Sequence, residues 1–245
     1  MTKFQKSLVP LSKLVGKILK WTRLPIFIDG MKIIFPDEMT DWERGFTLIS
    51  TYEKNERKLV KKYINKNDKV LELGACIGVV SITINKILED KSKQVSIEPN
   101  VNMLKYLEKN REKNQCPFFI DHAIVSIENE VEFYDAGEAF LSSSTKGNGK
   151  STKIKGITIE ELEKKYFNFT AVVMDIEGGE LELLRNFDLT NSHIQKIIWE
   201  THGNNILSKD ELNECYNLLK KYGYHFIDNS KNVEYWGKTT VNEAV

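Results

Sequence analysis

The chain has few of the residues that define several classes of small protein. Among its 245 residues are only three cysteines and five prolines, and the formal net charge at pH 7 is zero. Cys76, Cys116 and Cys215 are widely spaced and no CxxC pair occurs, which argues against a structural zinc site and against a disulfide framework. The balanced charge gives no general reason to expect a nucleic-acid partner.

Long apolar runs are also missing. No run approaches the roughly 20 residues that a membrane-spanning helix needs. The N-terminus scatters basic residues along its length and has no apolar run followed by a small-residue cleavage site. Together with the sparse cysteines, this predicts a reducing, cytoplasmic compartment. The rest of the composition, with 41% hydrophobic and 29% charged residues, is typical of a globular protein that can bury a core.

Positive charge is concentrated at the N-terminus. Residues 1–24 contain six basic residues and no acidic one, whereas the remaining chain carries 29 basic and 35 acidic side chains. Apolar residues recur at helical spacing over 11–19, after Pro10, with lysines opposite them, which predicts a short amphipathic helix. This helix could dock its apolar stripe on the protein, or it could contact an anionic membrane peripherally through residues 1–24. With a hairpin at 26–35 around Asp29-Gly30, it forms a predicted extension over 1–50.

The remaining residues, 51–245, alternate between strand and helix patterns. This alternation predicts an α/β domain with a Rossmann-like, mostly parallel sheet that ends in an antiparallel strand pair. The Ser-, Gly- and Lys-rich stretch 136–152 is interpreted as an exposed connection, with a mobile flap as the alternative. The predicted helices are 52–64, 77–88, 101–113, 179–185 and 209–221, and the predicted strands are 69–73, 94–98, 117–120, 131–135, 171–176, 196–200, 224–228 and 233–237.

A ligand-binding loop is predicted where the first of these strands ends. The segment VLELGACIG places Glu72 at the end of a buried strand and Gly74 and Gly78 in the turn that leads into a helix. Glycines let the backbone turn sharply and approach a ligand closely. Open α/β sheets bind ligands at this carboxyl edge. Glu72, Gly74, Ala75 and Gly78 are therefore candidate cofactor-binding residues.

The next strand ends in a second acid, which narrows the choice of cofactor. Glu98, followed by Pro99, can accept hydrogen bonds from both ribose hydroxyls of an adenosine, in NAD and in S-adenosylmethionine alike. A dinucleotide loop needs G-x-G-x-x-G to hold a pyrophosphate, whereas this loop is E-x-G-x-x-x-G. A carboxylate beside the ligand suits a methionyl ammonium better than phosphates. The pattern favours S-adenosylmethionine, and an NAD-dependent oxidoreductase is the alternative.

With these motifs in place, the chain resembles the FkbM-type methyltransferases, a branch of the class I S-adenosylmethionine-dependent enzymes. The resemblance extends from about residue 51 to 226. It departs from the family pattern at Cys76, where Asn is usual, and at Val173, where Lys is common. It rests on Tyr52-Glu53, on LELGACIG and IEPN, on VMDIEGGE at 173–180, on IWETH at 198–202 and on YGY at 222–224.

The resemblance implies O-methylation of a sugar, a glycan or a polyketide-type natural product. It also implies that residues after the third strand border the adenine, which makes Asp121 and His122 candidate contacts. A binding module that keeps the fold without catalysis is the alternative from another functional class.

The chemistry is expected at the carboxyl ends of the central strands. A hydroxyl acceptor must lose a proton, to a side chain or with help from a metal. Asp175, Glu177, Glu200 and His202 lie at these strand ends and are the candidate catalytic residues. The three acids also offer oxygen atoms of the kind that Mg²⁺ prefers, so a divalent metal stays open.

Overall fold

A computed structural model describes residues 3–22, 26–37, 39–41, 44–45, 52–138, 141–143, 150–202 and 206–238. The side chains of 3–9 and 135–150 are not part of this description. The predictions for Arg23, for Pro25 and for residues 139–140 and 144–149 of the suggested flap lie outside it.

The structure gives bounds for seven helices and thirteen strands, and the described residues Asp41, Arg44 and Gly45 are also helical. The helices are α1 (Lys3–Thr22), α2 (Lys54–Tyr63), α3 (Val79–Ile87), α4 (Val101–Lys113), α5 (Ile159–Lys165), α6 (Glu180–Asn186) and α7 (Lys209–Lys221). The strands are β1 (Ile26–Ile28), β2 (Met31–Ile33), β3 (Val70–Leu73), β4 (Gln94–Ile97), β5 (Phe119–Asp121), β6 (Ile124–Val125), β7 (Glu130–Glu138), β8 (Leu141–Ser143), β9 (Lys150–Ile157), β10 (Ala171–Met174), β11 (Lys196–Glu200), β12 (Tyr224–Ser230) and β13 (Val233–Lys238).

Seven strands form the main sheet, in the order β12-β13-β11-β10-β3-β4-β5. The pairs β11–β10, β10–β3, β3–β4 and β4–β5 are parallel. Strand β13 pairs antiparallel with both β11 and β12. The predicted Rossmann-like sheet with a C-terminal antiparallel pair is confirmed.

Alternate residues of the central strands pack on the two faces of the sheet. Leu71 and Leu73 of β3 belong to the core on the α6 and α7 side, whereas Val70 packs with α2 and α3 on the other face. This alternation follows from the two-residue repeat of a strand. It places Glu72 on the α2–α3 face, because Glu72 is two residues from Val70.

A second, four-stranded sheet lies between β5 and β10 in sequence, in the order β6-β9-β7-β8. The predicted strand 131–135 belongs to β7 of this sheet and not to the main sheet. The interpretation of 136–152 as one exposed connection is wrong in part, because β7 continues to Glu138, β8 spans Leu141–Ser143 and β9 begins at Lys150. Strand β9 and helix α5 are structural elements that the sequence prediction did not contain.

The N-terminal helix is longer than predicted, and Pro10 lies inside it. Its apolar residues Leu11, Leu14 and Ile18 are 50–58% exposed, so the alternative in which this stripe docks on the protein is wrong for these three residues. Only Val15 and Leu19 are half-buried. Among the described helices, none is long and apolar enough to cross a membrane.

The predicted hairpin is present as β1 and β2, which are paired antiparallel. Its inward residues share a core with α3 and α4, because Ile28 and Met31 cluster with Ile82 and Leu107. The division of the chain at residue 50 stays a prediction.

Candidate active site

A cavity of about 290 Å³ opens at the carboxyl ends of β3, β4 and β10. One part of its wall is apolar and includes Met103, Val125, Val131, Phe133 and Leu183. The described residues that line it include no lysine, arginine or histidine. Five carboxyl groups line it instead, from Glu53, Glu98, Asp175, Glu177 and Glu182. The cavity therefore suits a ligand that brings hydrogen-bond donors and positive charge.

The loop after β3 forms one edge of the cavity through Gly74 and Cys76. Gly74 has a φ of +83°, and a Cβ at this position would overlap the carbonyl oxygen of Asp175. Glycine is therefore required here because two strand ends approach each other closely. Cys76 has a φ of 48°, a left-handed conformation that asparagine tolerates better than most residues. This conformation gives a physical reason for the asparagine that is usual at this position in the family.

Glu98 is held at the cavity wall by the backbone. Its Oε2 accepts a hydrogen bond from the Cys76 N–H at 2.6 Å, and its Oε1 accepts one from the Asn100 N–H at 2.7 Å. Burial raises the pKa of Glu98 to about 7, although these two hydrogen bonds oppose the shift. Each oxygen keeps a further lone pair for a ligand hydroxyl. Glu98 and its neighbour Pro99 both line the cavity, as their predicted role requires.

Glu72 occupies a different position from the one predicted. Its side chain is buried on the α2–α3 face of the sheet, where it accepts a hydrogen bond from the Ser96 hydroxyl at 2.5 Å. It is not among the residues that line the cavity. The expected direct contact with a ligand ammonium is therefore not supported. The described hydrogen bonds of the Glu72 side chain link β3 to Ser96 and Gln94 of β4.

Four further predicted cofactor residues also lie outside the cavity lining, namely Ala75, Gly78, Asp121 and His122. Asp121 is paired with the Lys165 ammonium at 2.7 Å, and the exposed His122 ring lies 2.8 Å from the Pro99 carbonyl oxygen. Ala75 and Gly78 shape the turn that ends at α3. The adenine contact of Asp121 and His122 stays a prediction without support from these geometries.

The loop after β10 forms the opposite edge of the cavity. Asp175 and Glu177 both line it, as predicted. Glu177 has a φ of 48° and Gly178 a φ of +96°, so two successive residues adopt left-handed backbone conformations. Such conformations concentrate at functional sites. Burial raises the pKa of Glu177 to about 7, and the nearby charge of Asp175 adds to this increase.

His202, after β11, lies among the acids of this loop. Its Nε2 is 3.1 Å from Asp175 Oδ1 and 3.4 Å from Glu177 Oε2, and its Nδ1 is 3.0 Å from Glu180 Oε1. The Glu180 side chain is fully buried. Burial lowers the pKa of His202, but its hydrogen bonds and charge interactions with Asp175 and Glu180 outweigh burial and raise the pKa to about 11. At neutral pH the ring is therefore an imidazolium that binds three carboxylates together.

Glu200, the last residue of β11, lies close to His202 and Asp175 but outside the cavity lining. Its carboxylate accepts a hydrogen bond from the Asn232 side chain. Asp175, Glu200 and His202 each offer one atom within 4.8 Å of the others. The divalent metal stays a prediction. The His202 imidazolium already supplies positive charge beside Asp175, so the three acids do not need a metal ion to offset their charge.

Two residues of the cavity were not assigned a role from the sequence. Tyr52 and Glu53 precede α2 and line the cavity, with the Tyr52 hydroxyl 3.6 Å from Cys76 Sγ. Glu53 Oε2 is buried and has no hydrogen-bond partner among the described residues. Burial raises the pKa of Glu53 to about 8, although a hydrogen bond with Tyr52 opposes the shift. The Tyr-Glu pair contributed to the family resemblance, and that signal could have identified both residues.

These features fit S-adenosylmethionine better than a dinucleotide. The ligand's ammonium and ribose hydroxyls are donors, and the wall offers an unpartnered carboxyl oxygen on Glu53 and free lone pairs on Glu98. A pyrophosphate would meet five carboxyl groups and no basic side chain of the described lining. The NAD alternative is therefore disfavoured.

A family model identifies the kind of protein to which the chain is similar. The model of the "Methyltransferase FkbM domain" matches residues 72–226, which is more than half of the chain. No curated protein matches the sequence.

Solved structures with a similar fold include a protein of the NADB-Rossmann superfamily from Streptococcus agalactiae, at 10% identity and a TM-score of 0.48, which covers 76% of this chain and 69% of that one. They also include precorrin-6y C5,15-methyltransferase from Geobacter metallireducens, at 16% identity and a TM-score of 0.46, covering 78% and 91%. A third is a SAM-dependent methyltransferase from Aquifex aeolicus, at 14% identity and a TM-score of 0.42, covering 74% and 88%. Their identities to this chain are too low to carry their substrates over to it.

Proposed function

The chain belongs to the FkbM methyltransferase family and is an S-adenosylmethionine-dependent methyltransferase, and on that premise we propose that it methylates a hydroxyl group of a sugar, a glycan or a natural product. The observation that carries the proposal is the position of Glu177. Its carboxyl group lies in the cavity wall, and burial raises its pKa to about 7. A hydroxyl acceptor needs a base at this place, and a base is most effective when its pKa lies near the working pH.

When bound, the cofactor would supply the electrophilic methyl group on its sulfur. As the bond from that methyl carbon to the acceptor oxygen forms, the sulfur–methyl bond breaks and S-adenosylhomocysteine is left. Glu177 would take the hydroxyl proton of the acceptor on one of its carboxylate oxygens. The other candidate, Asp175, lies 3.1 Å from His202 and serves to hold the ring. His202 already carries a proton at neutral pH, so it cannot accept another and acts as a positioning residue.

The fully buried Glu180 fixes the orientation of the ring. Because Glu180 accepts the Nδ1 proton of His202, the Nε2 side of the ring faces Asp175 and Glu177. Its positive charge limits the rise of the Glu177 pKa that burial and Asp175 cause. Glu200 adds negative charge near the His202 ring. Its carboxylate also accepts a hydrogen bond from Asn232, which lies in the turn between β12 and β13.

The cofactor is expected to lie against Glu98, Pro99 and the Gly74–Cys76 turn, with Glu53 facing its charged end. Glu98 would accept hydrogen bonds from ribose hydroxyls. Glu53, whose Oε2 has no partner among the described residues, would accept a proton donor such as the methionyl ammonium. The more exposed Glu182 is placed to accept hydrogen bonds from acceptor hydroxyls.

The proposal is tested by mass spectrometry of candidate acceptors after incubation with the enzyme and S-adenosylmethionine. The panel would contain nucleotide sugars, lipid-linked glycans and polyketide alcohols, with amine analogues of the same scaffolds. We expect the mass of one methylene unit to be added to a hydroxyl acceptor. With that acceptor, Glu177→Gln is expected to lower kcat about 10²- to 10⁴-fold.

The matched control is Glu182→Gln, because Glu182 also lines the cavity but is exposed and is not among the described ion-pair partners of His202. This variant should change KM more than kcat. Methyl transfer to amines alone would overturn the proposal, and so would a Glu177→Gln variant that keeps the wild-type rate on a hydroxyl acceptor.

A further inference from the structure

Helix α1 presents an apolar stripe to solvent. Leu11, Leu14, Ile18 and Trp21 are spaced three or four residues apart and therefore lie along one side of the helix. Their exposures are 54%, 58%, 50% and 84%. An isolated exposed apolar side chain is common on protein surfaces, whereas a contiguous row of four marks an interaction surface.

The opposite side of the same helix packs against the rest of the protein. Ser12 and Gly16 are buried, and a Cβ on Gly16 would overlap the backbone carbonyl of Asp41. A Cβ on Gly45 would likewise overlap the backbone carbonyl of Ser12. These close backbone contacts fix the rotation of α1 about its axis. The helix cannot turn to bury its apolar stripe on its own body without losing them.

Positive charge borders the stripe along its length. Lys13, Lys17 and Lys20 are exposed and lie next to the row that contains Leu14 and Trp21. The chain contains no acidic residue before Asp29. An apolar face with lysines at its border and tryptophan among its apolar residues is the pattern of a helix that lies in a membrane interface.

We propose that α1 binds the surface of an anionic lipid bilayer through this stripe. The leucine, isoleucine and tryptophan side chains would enter the boundary between headgroups and acyl chains, and the three lysines would contact anionic headgroups. A second copy of α1 is a poorer occupant, because α1 contains no acidic residue that could pair with these lysines, whereas anionic headgroups can.

The proposal is tested by sedimentation of the full chain with sucrose-loaded vesicles. One set would consist of phosphatidylcholine alone, and the other of phosphatidylcholine mixed with phosphatidylserine. We expect binding to the mixed vesicles at low ionic strength, weaker binding at high ionic strength, and little binding to phosphatidylcholine alone. Each lysine near an anionic surface contributes about fivefold to the partition coefficient, so Lys13→Glu/Lys17→Glu/Lys20→Glu should lower it at least ~100-fold.

The apolar part of the surface is tested by Trp21→Ser and by Leu14→Ser, each of which should lower partitioning by about tenfold or more. The matched control is Ile127→Ser, because Ile127 is 60% exposed and lies outside α1. The charge control is Lys105→Glu/Lys109→Glu/Lys113→Glu, a row of three exposed lysines on α4. Neither control should change partitioning more than about twofold.

Light scattering and circular dichroism on the same samples complete the test. All variants should keep the wild-type melting temperature, because every changed side chain is exposed. Wild-type protein that stays in the supernatant with mixed vesicles at low ionic strength would overturn the proposal. It would also be overturned if the controls lost as much binding as the α1 variants, or if Leu14→Ser dissociated a wild-type dimer and left vesicle binding unchanged.

Discussion

The two sides of the cavity hold their carboxylates by different means. On the β4 side, Glu98 is fixed by two backbone N–H groups, from Cys76 and Asn100. On the β10 side, Asp175 and Glu177 are held by the charge of His202, which is in turn held by Glu180. Backbone donors keep their protons at every pH, whereas the second arrangement depends on which groups are charged. The first side is therefore suited to binding, and the second to proton transfer.

The largest effect on stability and on kcat is expected from removing His202, whose charge holds the carboxylates on the β10 side of the cavity. His202→Ala leaves Asp175, Glu177 and the fully buried Glu180 without their shared cation. Removing one partner of a buried ion pair costs about 3–5 kcal/mol of unfolding free energy. The pKa of Glu177 should rise further, because the charge of His202 now lowers it. At neutral pH a larger fraction of Glu177 would then be protonated, and kcat should fall at least ~100-fold.

Urea unfolding and the pH dependence of kcat measure both consequences. The control is His193→Ala, which removes an exposed histidine from the loop before β11. The two outcomes that would contradict this role of His202 are a His202→Ala variant that unfolds at the wild-type urea concentration and one whose kcat falls at the same acidic pH as in the wild type.

A smaller effect is expected in the pH dependence of stability. Burial raises the pKa of Glu53 to about 8 and those of Glu72 and Glu98 to about 7. Their pKa values are higher in the folded state than in the unfolded state, so the folded state binds these protons more tightly. Their contribution is complete below about pH 4.5 and is lost as the pH rises through 7 to 8. The unfolding free energy should therefore fall between about pH 5 and about pH 8.

Glu53→Gln removes the largest of these three shifts. The variant should be more stable than wild type at about pH 8, by on the order of 1 kcal/mol or more, and the difference should shrink toward pH 5. Urea unfolding across this range gives the measurement, and Glu108→Gln, at an exposed position on α4, is the control. Stability that rises toward pH 8 in the wild type would contradict the account.

The smallest effect concerns the backbone of the binding side. Cys76→Asn should raise the unfolding free energy by up to ~1 kcal/mol, because asparagine tolerates the left-handed φ of 48° better than cysteine does. Cys76→Val should lower it, since a β-branched residue is strained in this region. Thermal melts of the two variants give the comparison. Equal melting temperatures would indicate that strain at this position is unimportant.

The sequence predicted best the helices whose first residue follows a capping side chain. Helices α4 and α7 have the predicted bounds, since Asn100 and Ser208 cap their N-termini. Strand β9 and helix α5 were missed, although Thr158 and Glu161 form a capping box at the start of α5. The Ser-, Gly- and Lys-rich stretch 136–152 has the composition of a loop. Because it was interpreted as one connection, the strand that begins within it and the helix that follows were not predicted.

The site could be predicted from the sequence only in part. Strand-end reasoning predicted Glu98, Asp175 and Glu177, and all three line the cavity, because parallel strands place their carboxyl ends at one edge. Their roles stay predictions. The burial of Glu72 follows from which face of β3 it occupies, and that depends on packing against α2 and α3. Glu53 lines the cavity from a segment before β3. The Tyr52-Glu53 pair of the family resemblance was the one sequence signal for it, and strand-end reasoning could not find it because Glu53 does not follow a strand of the main sheet.

Calorimetric binding of S-adenosylmethionine to wild type, Glu98→Ala and Glu177→Gln tests most directly whether one side of the cavity binds and the other reacts. Hydrogen bonds to a charged group contribute about 1.5–3 kcal/mol each, so Glu98→Ala should weaken binding at least ~10-fold. Glu177→Gln should bind within about threefold of wild type, because its expected role lies in proton transfer. Unchanged affinity in Glu98→Ala, or an equal loss in Glu177→Gln, would contradict this division of the site.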